Sequence, residues 1–110
     1  VTQGKSWDCS GSIGPWMTTG VDLRKPLRIT VKINGEVTQD DTTDSMIFKF
    51  SDLLSYVSTF MTLKPGDIIA TGTPIKIDKK PDERKWLMAG DVFEMTVPEI
   101  GTLRNVVADE

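Results

Sequence analysis

The residues best suited to chemistry in this chain are the two hydroxyls of Thr71-Gly72-Thr73 and the amine of Lys5. A threonine hydroxyl both donates and accepts hydrogen bonds, and a glycine between two of them lets backbone come close to a ligand. Lys5 fits a cation held beside an acidic or anionic site, and it equally fits an ordinary surface lysine. By residue type alone, Thr71-Gly72-Thr73 also fits a plain strand end followed by a loop.

Other chemistries are closed to the chain on its own. It has a single cysteine, Cys9, and no histidine. A disulfide framework, a Cys/His zinc site and any histidine-activated nucleophile are therefore excluded within these residues. Net charge is -3 over 110 residues. The densest basic patch, Lys76 to Lys85, is broken by Asp78, Asp82 and Glu83, as in a solvated mixed-charge loop. No nucleic-acid partner is expected. The hydrophobic fraction of 38% and charged fraction of 26% suit a soluble globular protein. No apolar run reaches about 18 residues, so no membrane partner is expected, and cysteine usage suits a reducing, cytoplasmic setting.

The elements that position these residues can be read in order. Val1 to Gly20 is glycine-rich and loop-like, and Trp7 and Trp16 in it should cover a core edge or line a cleft. Leu27 to Ile33 alternates apolar and polar residues, which predicts a half-buried strand. Asn34-Gly35 is a strong hairpin turn signal, and Glu36 to Asp40 is the return strand. Asp41 to Phe48 reads as a linker, and Ser51 or Asp52 can cap a helix. Leu53, Leu54, Val57, Phe60 and Met61 fall on one face of that helix, expected to be core and to end near Thr62. Pro65-Gly66 makes a turn, and Asp67 to Ala70 reads as a short covered strand that ends at Thr71. Pro74 forbids an interior strand beyond it. After the charged stretch Ile75 to Ala89, Val92 to Val97 and Thr102 to Val107 are strands around a turn at Pro98 to Gly101. About five strands and one helix predict an α+β, β-rich domain with an antiparallel or mixed sheet. One helix is little cover for such a sheet, so more chain or a partner is expected to close the core.

The ordered set Gly4-Lys5-Ser6-Trp7-Asp8, Gly14-Pro15-Trp16, Asn34-Gly35-Glu36, Gln39-Asp40, Thr43 to Phe48, Phe60 to Leu63, Pro65 to Pro74 and Gly101 to Asn105 resembles the C-terminal half of the fumarylacetoacetate hydrolase family. The resemblance covers nearly the whole chain. It implies a mixed β-roll, with residues 1–110 as the C-terminal part of one catalytic domain, and usually a homodimer. It implies Mg²⁺- or Mn²⁺-dependent hydrolysis, decarboxylation or isomerisation of 2-oxo or β-diketo acids, including seven-carbon dioates of aromatic catabolism. A hard cation chelating the 2-oxo carboxylate would serve there as a Lewis acid.

Residue by residue, the resemblance places Lys5 beside the metal as a catalytic cation. It places Thr73 on the substrate carboxylate, with Gly72 giving close backbone approach. Departures from the family pattern accompany it. The family's metal carboxylates, a Glu-x-Glu pair and an aspartate, are expected upstream of Val1, so no metal ligand is assigned here and the isolated chain is expected to be inactive. Asp40, Asp41 and Asp44 look like linker residues. Cys9 stands where many members have threonine, and as a small thiol it also fits a buried filler. The rival reading is a non-catalytic β-rich interaction module that lost the metal site.

Overall fold

The structure, a computed structural model, describes residues 6, 8–74 and 86–108. Strand β1 (Arg28–Ile33) turns into β2 (Glu36–Thr42). The turn is held by Asn34 at φ 51° and Gly35 at φ 83°, both in the left-handed region. Two consecutive positive φ values are what the tight hairpin turn demands, and Asn-Gly adopts them at least cost. A 3₁₀ turn at Thr43–Ser45 leads to helix α1 (Phe50–Ser58), and strands β3 (Val92–Val97) and β4 (Gly101–Val106) follow. The four strands form one sheet in the order β2-β1-β3-β4. Every pairing in it is antiparallel.

Register decides which side chains share a face. Val31 pairs with Gln39 on β2 and with Met95 on β3, and Ile29 pairs with Asp41. Those side chains lie together on the inner face, where Val31 is 2% exposed. A β-bulge between Val31 and Lys32 adds one residue to β2, so Val37 pairs with Lys32 on the outer face. The outer face is a polar ladder. Arg28 clasps Asp40 at 2.8 and 2.6 Å, Arg104 stands 3.7 Å from Glu94, and the Thr96 and Thr102 hydroxyls bond at 2.8 Å. Asp40 thus ends the polar run read as the return strand, and Asp41, read as the start of a linker, is a strand residue as well. The ladder extends through the pairing of Arg28 with Thr42, two residues beyond the polar run read as the strand's end.

Side chains pin the sheet's ends. Leu27 donates its N–H to Thr43 Oγ1 at 3.0 Å, and Thr43 returns its N–H to Leu27 O at 3.0 Å. At the other end, Asn34 Nδ2 donates to Asp91 Oδ1 at 2.8 Å while Val92 N–H donates to Asn34 Oδ1 at 2.8 Å. One asparagine thereby forms the hairpin turn and fixes the start of β3. Trp16 lies over Gly101, whose missing side chain makes the room: a Cβ there would stand 2.6 Å from the indole. The indole N–H donates to Ile100 O at 2.6 Å. Trp16 thus packs against the end of β4, as expected, but remains 62% exposed; Trp7 lies outside the described residues.

Three expectations differ from what is observed. The helix starts at Phe50 with Lys49 as its cap residue, and Asp52 acts from the third helical position by accepting the Lys49 N–H at 3.0 Å. It ends at Ser58, because the Ser58 and Thr59 hydroxyls bond back to the carbonyls of Ser55 and Tyr56 at 2.8 and 2.7 Å. Its apolar face is not core within the described residues: Leu54 is 48% and Phe60 63% exposed. The extensive packing between elements is all along the sheet. Finally, Asp67 to Ala70 joins no strand ladder. The chain meets the edge strand β2 further on, where the Gln39 side chain reaches Thr73 and Pro74.

Candidate functional site

The segment that carries Thr71-Gly72-Thr73 is launched by a turn. Gly66 adopts φ 97°, Asp67 N–H donates to Lys64 O at 3.0 Å, and Lys64 N–H donates to Asp67 Oδ2 at 2.8 Å. The second Gly-Asp of the chain repeats this geometry. Gly90 has φ 88°, Asp91 N–H reaches Met88 O at 3.0 Å, and Met88 N–H reaches Asp91 Oδ2 at 2.8 Å. The glycine supplies the left-handed position and the aspartate closes the turn with its side chain. The shared dipeptide is thus a shared turn device, far too short for a structural repeat.

Beyond the turn, Gly72 adopts φ 100°, and a Cβ there would meet nothing within 4 Å. Backbone conformation, not crowding, requires the glycine, and the space before it is open. Thr73 and Pro74 are held from beneath by Gln39, a β2 residue that is only 8% exposed. Its Nε2 donates to Pro74 O at 2.8 Å and to Thr73 Oγ1 at 3.3 Å. The bulge in β2 sets the phase that points Gln39 to this inner face.

Thr71, Gly72 and Thr73 line a cavity of about 390 Å³ together with Asp41, Thr42, Thr43, Ser45, Phe48, Phe50 and Leu53. That volume suits a small organic ligand. Hydroxyls, backbone and apolar side chains share its lining, a mixture able to bind a short acid with a polar head and a carbon tail. A second hollow of about 460 Å³ lies at Thr18 to Asp22, Lys25, Leu27 and Glu99. Its Asp22 is clasped by Arg24 at 2.8 and 3.2 Å, and it gathers no comparable set of hydroxyls.

Thr73 and Gly72, singled out from sequence, stand together at the cavity. Lys5 lies outside the described residues. Cys9 is exposed, with φ 58°, so it is not a buried filler. Gln39, Asp41 and Ser45 were not assigned a place in the site. The Gln39-Asp40 pair was legible as a motif, but its reach across the sheet edge was not.

A hard divalent cation takes about six oxygen ligands, several of them carboxylate. Among the described residues, no three acidic, histidine or cysteine side chains gather to offer them. The Arg28 guanidinium occupies Asp40 and holds its carboxyl below the usual range. Asp41 accepts the Thr42 N–H and the Ser45 hydroxyl, each at 2.7 Å. Asp44 has Lys49 Nζ 3.9 Å away. These residues alone do not fit Mg²⁺ or Mn²⁺.

Residues 1–108 match the family described as fumarylacetoacetate (FAA) hydrolase, C-terminal. The chain is 38% identical over 112 residues to the 2,4-didehydro-3-deoxy-L-rhamnonate hydrolase of a Sphingomonas species, covering 98% of this chain and 39% of that protein. It is 38% identical over 106 residues to oxaloacetate tautomerase YisK of Bacillus subtilis, covering 94% of this chain and 35% of that protein. The fold superposes on a fumarylacetoacetate hydrolase from Exiguobacterium antarcticum with a TM-score of 0.90 and 34% identity, over 98% of this chain and 39% of that one. The chain thus spans between 35% and 39% of these proteins' lengths.

Proposed function

Because the chain belongs to the fumarylacetoacetate hydrolase family, we propose that it supplies the carboxylate-binding wall of an enzyme acting on 2-oxo or β-diketo acids. The observation that carries this reading is the cavity of about 390 Å³ that Thr73, braced by Gln39, lines together with the apolar Phe48, Phe50 and Leu53. The Thr73 hydroxyl and the open backbone around Gly72 bind the acid end of the substrate. The apolar side chains take its carbon tail and exclude water from it. Lys5 supplies a cation that stabilises developing enolate charge.

Hydrolysis, decarboxylation, tautomerisation and isomerisation of such acids share an enolate-like species, so one binding wall serves all of them. Relatives that bear hydrolase and tautomerase names fit this breadth. In the complete enzyme Mg²⁺ or Mn²⁺ would polarise the 2-oxo acid, held by carboxylates outside the described residues. The open face of α1 and the thin core, in which Leu27 and Val31 are the buried hydrophobics among the described residues, fit a chain covered by further polypeptide or by a second copy. A cytoplasmic homodimer is the assembly this reading favours.

The test uses the protein at the length its source cell makes. It is assayed with acylpyruvates and oxaloacetate, with and without Mg²⁺. Turnover that EDTA abolishes, and that Thr73→Val weakens mainly through KM, is the expected result. No turnover and no affinity for any 2-oxo acid would overturn the reading in favour of an interaction module. Affinity for oxalate that EDTA leaves unchanged would mean anion binding without a metal.

A further inference from the structure

The partners of the Gln39 amide fix which of its ends faces the loop. An amide oxygen and nitrogen have the same shape, so only the partners tell them apart. The atom 2.8 Å from Pro74 O must be the nitrogen, because a peptide carbonyl can only accept. The same nitrogen carries a second hydrogen, and Thr73 Oγ1 lies 3.3 Å from it. Thr73 therefore accepts from Gln39. Among the described residues its own hydroxyl proton is given to no protein acceptor, and the side chain is exposed at the cavity.

From this we infer that Gln39 sets Thr73 as a hydrogen-bond donor into the cavity, so that the site selects a ligand presenting an oxygen acceptor, a carboxylate above all, over an isosteric ligand presenting N–H. The physical reason is an asymmetry. A free hydroxyl rotates to suit either a donor or an acceptor, but one whose lone pair is already engaged from below is biased to donate. Burial strengthens the effect, since Gln39 is 8% exposed and cannot turn to water instead. A donor poised towards an anion forms the stronger, charge-assisted type of bond. This inference rests on the proposed function for the site's location, and it adds a residue, Gln39, and a polarity to it.

The experiment measures affinity for oxalate and for its neutral diamide oxamide, which has the same shape and no carboxylate, using the protein at the length its source cell makes, in Mg²⁺ buffer. Gln39→Glu keeps the shape and replaces the donor with an acceptor. Gln39→Met removes the polar group altogether, and serves if the buried carboxylate prevents folding. Thr73→Val removes the hydroxyl and Thr73→Ser keeps it. Oxalate should bind about tenfold more weakly to the Gln39 variants, as expected for one charge-assisted bond. Thr73→Ser should bind like the native protein. In the Thr73→Val background the Gln39 substitution should cost no more, and the native preference for oxalate over oxamide should shrink in each weakened variant. Independent, additive losses at the two positions, or unchanged affinity in both Gln39 variants, would overturn the inference and leave the proposed function standing. Failure of the native protein to bind either probe would overturn the proposed function, and this inference with it.

Discussion

Gln39 and Thr73, 34 residues apart in the chain, are joined by a 3.3 Å hydrogen bond at the edge of the sheet. The same amide holds Pro74 O at 2.8 Å, so one buried side chain ties the loop beyond Ala70 to the sheet edge. Gln39→Leu leaves the Pro74 carbonyl without that donor and should destabilise the fold by about 1–3 kcal/mol. The shift in urea midpoint, at unchanged slope, measures it.

Gly101 makes room for Trp16, since an added Cβ would stand 2.6 Å from the indole, and its φ of 136° disfavours any side chain. Gly101→Ala should cost about 1–3 kcal/mol from overpacking, and displace the indole. Combining it with Trp16→Ala should recover the steric part of the loss and leave the backbone part. Denaturant midpoints of the two single variants and the double variant separate these contributions.

Asn34 carries a left-handed turn position at φ 51° and two bonds of 2.8 Å that pin the start of β3. Asn34→Gly keeps the backbone freedom and loses both bonds, and Asn34→Ala loses the bonds and adds backbone strain. The alanine variant should therefore be the less stable of the two by about 1 kcal/mol. Equal thermal midpoints would show that the turn imposes no strain.

Asp40 is clasped by Arg28, and this hydrogen-bonded guanidinium lowers its folded-state pKa. A carboxyl with a depressed folded pKa contributes stability above its unfolded pKa and loses it as pH falls through the folded one. The native protein and Asp40→Asn should thus differ in stability at neutral pH and converge in acid. The difference should also shrink at high salt, because the pair is on the surface. Thermal midpoints from neutral to acid pH, at two salt concentrations, check both trends.

The 110 residues by themselves, purified and supplied with Mg²⁺, should turn over neither acylpyruvates nor oxaloacetate. The reason is the ligand set: among the described residues no acidic cluster can complete a divalent site. Measured turnover by this chain alone would show that the carboxylates expected upstream are dispensable.

What the sequence by itself determined is local. Asn34-Gly35 and Pro65-Gly66 announce their turns because each needs a backbone conformation that few residue types adopt. The alternation in Arg28–Ile33 and Val92–Val97 announces strands because side chains alternate between faces. Thr71-Gly72-Thr73 stood out because hydroxyls around a glycine are loop chemistry, and the ordered motifs gave the family. Tertiary structure decided the rest. Ile68-Ile69-Ala70 has the composition of a strand, but a strand exists only when a neighbouring backbone pairs with it, and that is not written in the segment. Leu54 and Phe60 have helical spacing, but only packing can bury them, and the described residues leave them open. Gln39 looked like one polar residue in an alternating strand. A one-residue bulge turned it inward, and a contact across 34 residues made it the brace of the site. Propensity acts over a few neighbours, whereas register and long-range contact depend on the whole chain at once.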